Sequence, residues 1–356
     1  GFEADNEVES CFYDFYKDNL RVALDLAIDF GHKAEVGDQP RCKVVGFDLD
    51  YIREHMNVGP GAAQKADART LVTKLFKSPL SYTDPYLLVL YRSALSQSGI
   101  WADAEMQRHQ IYGEERVEGG KLFFAPKNSE ISRTCCTEAS VNMLLQKAVG
   151  AFIEERLGKC YGIYLSTQPD LNRELARIGS IDGSYGTIDL VSASDSIGLQ
   201  LCQRDLPDGF LKAVLMASRS KVAVLPDGTQ VELRMVSTMG NGFTFPLQTL
   251  LFASAVQAVY QLMEIPSTDS SGRHSFGVFG DDIIVRREAY EFLIKMLHKL
   301  GFEVNTGKSF NSGLFRESCG SDYFAGFDVR GVYIKSLETP HEVYSGFNRL
   351  AKWAAN

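Results

Sequence analysis

The chain has 356 residues, 45% of them hydrophobic and 23% charged, with a formal net charge of −8. This is ordinary globular composition; it excludes disordered, collagen-like and fibrous proteins, and the length fits two or three lobes sharing a core better than one compact module. No apolar run approaches the roughly 18–20 residues needed to span a bilayer, and the acidic balance argues against a uniformly basic nucleic-acid binder while leaving room for a local basic groove.

Residues 1–40 are expected to be helical: Leu20, Leu24, Ala27 and Ile28 follow helical spacing, and Gly31 can end the run. Pro60-Gly61 marks a turn, and residues 86–98 read as a second helix. Residues 121–126 read as a strand stopped by Pro126. Residues 138–157 form a long helical pattern with Val141, Leu144, Leu145, Ala148, Phe152 and Ile153 on one face. Residues 187–191 form a short buried strand, and 222–233 a hairpin around Pro226-Asp227-Gly228-Thr229. A long apolar helix follows at 244–264. Residues 278–285 are two apolar strands joined at Gly280-Asp281-Asp282, then a helix at 287–300 closed by Gly301. Strand-like pieces lie near 302–304, 323–325 and 332–335. This order implies an α+β sheet with helices on one face.

The seven cysteines are scattered without a C-x-x-C pair. A zinc site or disulfide framework is not expected, and a reducing cytoplasm is. The acidic opening, Gly1-Phe2-Glu3-Ala4-Asp5, is no signal peptide. A chain that does not begin with Met is expected to be an internal piece of a longer protein.

Four elements carry chemistry. Asp281 and Asp282 sit among Val278, Phe279, Ile283 and Ile284, where two buried carboxylates are costly unless a divalent cation offsets them. Taken alone, Gly-Asp-Asp reads rather as a solvated hairpin turn. Asp189, between Ile188 and Leu190, needs a partner; Asp195, six residues on, reads either as a helix N-cap or as a site residue. Strands presenting both sets of carboxylates at one sheet edge can hold two metal ions for phosphoryl displacement, and the pair of motifs favours that reading. The third element is a glycine-rich loop, residues 237–243, opening the long helix and allowing close approach of a sugar–phosphate chain. The fourth holds Lys127 and Arg133, which can neutralise a triphosphate or be plain surface charges.

In this order, these elements resemble the RNA-dependent RNA polymerases of positive-strand RNA viruses, and most closely the replicase catalytic (β) subunit of the leviviruses, small RNA phages of bacteria. The stretches that carry the resemblance are 126–146, 187–202, 225–229, 237–256, 279–285 and 301–320. It implies an α+β right-hand fold with an antiparallel palm sheet packed on helices. Residues 1–180 would be fingers, 181–217 and 237–310 palm, 218–236 a hairpin returning to the fingers, and 311–356 the strand after the palm and the start of the thumb.

The resemblance also implies site residues. Asp189 and Asp281 would bind two Mg²⁺ ions, replaceable by Mn²⁺, with Asp282 completing the cluster. Asp195 would bond the incoming ribose. Gly240 and Thr244 match the template-and-ribose loop. Gln248 stands where many viral polymerases carry Asn, leaving Asn241 as the alternative sugar-sensing partner. Lys127 and Arg133 match triphosphate contacts, and Lys308 matches a lysine that protonates the leaving pyrophosphate, or is a surface charge. Phe315, Arg316, Glu317 and Ser318 match the strand supporting the primer end. Phe279 replaces a common Tyr and leaves the carboxylates intact. The implied activity is template-directed transfer of nucleotides from NTPs to nascent RNA, replicating a viral genome in the cytoplasm of an infected bacterium. Host elongation factors Tu and Ts and a ribosomal protein are the implied partners, with no membrane. A reverse transcriptase and a catalytically inactive RNA-binding relic are the competing readings.

Overall fold

The computed structural model describes residues 2–24, 27–29, 43–59, 61–66, 70–126, 132–334 and 336–354. The N-terminal part contains α1 (Phe2–Leu24), β1 (Ala27–Asp29), β2 (Lys43–Val45), α2 (Leu49–His55), α3 (Leu71–Phe76), β3 (Leu80–Tyr82), α4 (Pro85–Leu95), α5 (Gly99–Tyr112) and β4 (Glu114–Arg116). The middle holds β5 (Gly120–Pro126), β6 (Ser132–Thr137), α6 (Ser140–Tyr161), α7 (Gln168–Asp182), β7 (Tyr185–Ile188), α8 (Leu199–Asp205), α9 (Phe210–Ser218), β8 (Val222–Val224) and β9 (Gln230–Glu232). It closes with α10 (Thr244–Leu262), β10 (Gly277–Phe279), β11 (Asp282–Arg286), α11 (Arg287–Lys299), β12 (Phe315–Ser318), β13 (Ser321–Phe324), β14 (Phe327–Asp328) and α12 (Pro340–Ala354).

The core is built around α6 and α10. Helix α10 is buried over almost its whole circumference, as its apolar sequence requires. Helix α1 lays Phe12, Tyr16, Leu20 and Ala23, all fully buried, against this core in one stripe; each large side chain there contributes roughly 1.5–3 kcal/mol of burial. The helix stops at Leu24, and Ala27 and Ile28 belong instead to β1, paired with Val45 and Val44. Helical spacing cannot register a strand partner that lies some sixteen residues downstream; Gly31 lies outside the described residues.

Helix α6 also differs from its expected form. Val141, Leu144, Leu145, Ala148, Phe152 and Ile153 are buried, but so are Asn142 and Gln146, so the helix is enclosed on more than one face. The two polar side chains are accommodated because both donate to the carbonyl of Ser218. Glu138, just before this helix, is fully buried as well. Burial pushes its carboxyl above the usual glutamate range, against hydrogen bonds from Ser220 and Gln146. The unfolded chain therefore releases this proton at lower pH than the folded chain. Stability falls as pH rises between those two values and stays reduced above them. Glu138→Gln removes the titration, so its melting temperature should gain on wild type as pH rises from the ordinary glutamate range through the raised pKa of the folded carboxyl. A pH-independent difference would contradict the buried assignment.

Two sheets position the candidate site. Strands β10, β11 and β7 form an antiparallel sheet in that order, and β6, β5, β8 and β9 form another, with β8 joining β5 in parallel. The 222–233 hairpin thus pairs with a strand a hundred residues earlier. The first sheet carries helices on both faces, not one. Ile283 and Val285 join the main core with Leu293 and Leu297 of α11, while Ile284 packs with Leu175 and Ala176 of α7 on the opposite side. The unbroken apolar run in β11 is the reason: alternate residues must all find cover. Residues 332–334 form no strand, Val304 makes only an isolated bridge to Leu190, and Ala325 is a turn residue after β13. Among the described residues no helix is long and apolar enough to cross a membrane.

Candidate active site

The site is assembled at the β10–β11 turn. Phe279 pairs with Asp282, leaving Gly280 and Asp281 as a two-residue hairpin loop. Gly280 has φ +62, the left-handed value that the first central position of a type II′ turn demands. The turn is clamped from α10. The Gly280 N–H donates to Thr249 Oγ1 at 3.0 Å, and that hydroxyl donates to the Phe245 carbonyl at 2.9 Å. Phe245 stands edge-on to Phe279, ring centroids 4.7 Å apart.

Strand β7 brings the third carboxylate. Ile188 pairs with Ile283, so Asp189 leaves its strand beside Asp282. Asp189 lies just past the strand end, not within it. Its carboxylate accepts from Asn305 Nδ2 at 2.8 Å, and its backbone carbonyl accepts from the Asn305 N–H. Its own N–H donates to Ser309 Oγ. Asp282 Oδ1 accepts from the Cys319 N–H at 3.1 Å and from Ser318 Oγ at 3.4 Å. Cys319 adopts a left-handed φ of +47, which turns its N–H toward that carboxylate. Burial pushes the Asp282 carboxyl above the usual range; the Cys319 N–H opposes this, and the like charges of Asp281 and Asp189 add to it. Burial of the Cys319 thiol, beside Asp282, raises its pKa to about 12.

Three carboxylates therefore share one sheet edge and repel one another. Their oxygens are the hard donors that Mg²⁺ or Mn²⁺ prefers, and a cation there would relieve that repulsion. Among the described residues no group of three or more acidic, histidine or cysteine side chains already closes into a cage. The set is juxtaposed but open, and Asp282 is turned toward the β12–β13 turn.

The other candidates fall into three places. Lys308 is exposed, and its charge lowers the pKa of Glu317, which burial raises and Asp189 raises further. These two flank the acidic edge. Arg316 is fully buried, with Nε donating to the Tyr185 carbonyl at 2.7 Å and Nη1 to the carbonyls of Ser312, Gly313 and Phe315. It fixes the strand from within; Ser318 is buried beside it, and Phe315 and Glu317 are half-buried.

The glycine-rich loop docks on β6. The Cys136 N–H donates to the Met239 carbonyl at 2.8 Å, and a Cβ at Gly240, φ +136, would lie 2.1 Å from the Cys136 carbonyl oxygen. Asn241 Oδ1 accepts from the Thr238 N–H, and Thr244 Oγ1 donates to the Thr238 carbonyl, so both side chains brace the loop. Gln248 is buried one turn into α10. Asp195 is not a helix cap: Gly198 precedes α8, and Asp195 sits in a turn near Cys136, whose thiol pKa is raised chiefly by burial and in small part by the Asp195 charge. The residue is exposed overall, yet protein packed around its carboxyl raises the pKa, against a hydrogen bond from Ser194. Arg133 lies exposed on β6 opposite Ala125; Lys127 lies outside the described residues. Thr249, Asn305, Ser309 and the Ser318-Cys319 turn, which orient the site, carry no periodic signal in the sequence.

The model of the RNA replicase, beta-chain family matches residues 68–356. Over 235 residues the chain is 39% identical to the RNA-directed RNA polymerase subunit beta of Escherichia virus Qbeta, covering 66% of this chain and 38% of that one. Over 258 residues it is 40% identical to the RNA-directed RNA polymerase beta chain of Escherichia phage MS2, covering 72% and 45%. The chain thus spans less than half the length of these curated relatives. The solved structure of an insertion loop deletion mutant of the RNA-dependent RNA polymerase of a human picorbirnavirus superposes at a TM-score of 0.42 with 13% identity, covering 58% of this chain and 44% of that one.

Proposed function

The chain belongs to the RNA replicase beta-chain family, and on that premise we propose that it is the catalytic core of an RNA-directed RNA polymerase. The observation that carries the reading is the register of β11 on β7, which sets Asp189 beside Asp282 with Asp281 in the adjoining turn. In the proposed organisation, residues 181–217 and 237–310 form the palm, 1–180 and 218–236 the fingers, and 311–356 the strand after the palm and the start of the thumb.

Asp189, Asp281 and Asp282 are the proposed holders of a pair of Mg²⁺ ions, for which Mn²⁺ can substitute. When bound, such ions lower the pKa of the attacking 3′-OH and neutralise the leaving pyrophosphate. The chain's own residues do the rest. Asn305 and Ser309 hold Asp189 in place, and Thr249 holds the turn. Asp195 accepts from the ribose hydroxyl that distinguishes NTP from dNTP. The Gly240 backbone admits the template and sugar, with Asn241, Thr244 and Gln248 shaping that wall. Arg133, together with Lys127, offsets triphosphate charge. Lys308 donates a proton to the pyrophosphate as the bond between the α-phosphorus and its bridging oxygen breaks. Phe315, Glu317 and Ser318 support the primer end, with Arg316 bracing their strand from inside. RNA is chosen by base pairing to the template. The proposed setting is the cytoplasm of an infected bacterium, with elongation factors Tu and Ts and a ribosomal protein as host partners.

Incorporation of NTPs and dNTPs on the same primed RNA template tests this reading against a reverse transcriptase. The expected result is a strong preference for NTPs that Asp195→Ala reduces by about tenfold or more, the range of a lost hydrogen bond to a charged group. Equal use of dNTPs by the wild type would favour the reverse transcriptase. RNA binding without incorporation, with or without the host factors, would leave the binding relic.

A further inference from the structure

The back of the glycine-rich loop packs directly on α6 at Gly242. A Cβ at Gly242 would lie 2.9 Å from the Lys147 backbone nitrogen, and one at Gly150 would lie 2.5 Å from the Gly242 carbonyl oxygen. At this contact Gln146, fully buried, accepts from the Gly242 N–H through Oε1 at 3.1 Å. Its Nε2 donates the other way, to the Ser218 carbonyl at 2.8 Å and to Glu138 Oε2 at 3.1 Å. Glu138 Oε2 also accepts from Ser220 Oγ at 2.7 Å. With two acceptors on the Nε2 side, only one orientation of the amide satisfies its surroundings; flipped, it would set oxygen against oxygen and N–H against N–H. Glu138 and the Ser218 carbonyl therefore decide that Oε1 faces the loop.

We propose that Gln146, oriented by Glu138 and Ser220, is a positioning residue that holds the glycine-rich loop at the height needed to meet the incoming nucleotide. The inference rests on the polymerase reading above. Gly242 adjoins Asn241, whose side chain braces Thr238, and Thr238 in turn receives Thr244. A shift at Gly242 is thus passed to the wall of the nucleotide site. The clamp holds the glycine-rich loop and not the acidic turn, so it acts on nucleotide capture and not on the chemical step.

The test uses Gln146→Met, which keeps length and burial but removes both hydrogen-bonding ends. Amide exchange at Gly242 should accelerate at least tenfold, and KM for NTP should rise about tenfold with kcat within about twofold of wild type. Glu138→Gln still offers an oxygen to Gln146 and Ser220, so both readouts should stay near wild type. Ser220→Ala, a gentler change that keeps the fold if Gln146→Met does not, should move both in the same direction by a smaller amount. Unchanged Gly242 exchange in Gln146→Met would overturn the clamp. Faster exchange with unchanged KM would overturn its link to the nucleotide, and a fall in kcat with melting temperature at constant KM would reduce it to a structural role. Wild-type chain that incorporates nothing even with the host factors supplied would refute the polymerase reading itself, while Gly242 exchange in the same samples decides the clamp separately.

Discussion

Asp281→Ala and Asp189→Ala are each expected to lower nucleotide incorporation at least a thousandfold, about 4 kcal/mol of transition-state stabilisation, without unfolding the chain. In the proposed mechanism the effect is large because the three carboxylates, through the cations they would hold, act on charge that develops at the transferred phosphoryl group, and two cannot replace the third. The folding consequences differ between the variants. Asp281 sits at the turn tip, and its charge is one of those raising the Asp282 pKa. Its removal relieves repulsion, so the melting temperature should hold or rise, and the Asp282 pKa should fall. Asp189→Ala strands the Asn305 amide, which now donates to the carboxylate, at a cost of about 1–2 kcal/mol. Incorporation retained in either folded variant would remove the carboxylate assignment.

Gly280→Ala should also be damaging, by a different route and to a smaller extent. A methyl there would sit 2.5 Å from the Phe245 ring, and the residue has φ +62. The left-handed backbone alone costs about 1–2 kcal/mol for a residue with a Cβ. Phe245 must also move, and it is packed against Phe279 and carries the carbonyl that orients Thr249. Asp281 and Asp282 follow the turn. A displacement near 1 Å in a catalytic group can cost on the order of a hundredfold in rate, and that is the expected loss, with a stability loss of about 1–3 kcal/mol. Gly99→Ala, where a Cβ meets nothing within 4 Å, is the control and should leave both unchanged. Equal effects of the two substitutions on incorporation would show that the turn is not the sensitive element.

The acidic turn was legible because every local rule agreed there: two apolar runs, a glycine where φ must be positive, and carboxylates that an apolar setting does not tolerate without reason. The 222–233 hairpin, α6 and α10 were legible for the same reason, since their patterns are strong and local. Ala27 and Ile28 were misread because their strand exists only through β2. Helices on both faces of the β10–β11–β7 sheet were missed, although the run Ile283-Ile284-Val285 contains the signal. Asn305, Ser309, Thr249 and Cys319 act through single hydrogen bonds across the fold, and no spacing rule points to them. Gln146 was the recoverable case. It follows Asn142 by one turn among the apolar side chains of Val141, Met143, Leu144, Leu145 and Ala148, and a polar pair in that position asks for buried partners.

Primer extension on RNA templates of defined sequence, with one NTP supplied at a time and Mg²⁺ present, tests the central claim most directly. The account predicts addition of the complementary nucleotide alone, at each template base, and none once the cation is chelated. Addition that ignores the template base, or no addition with Mg²⁺ or Mn²⁺ even when the host factors are supplied, would contradict it.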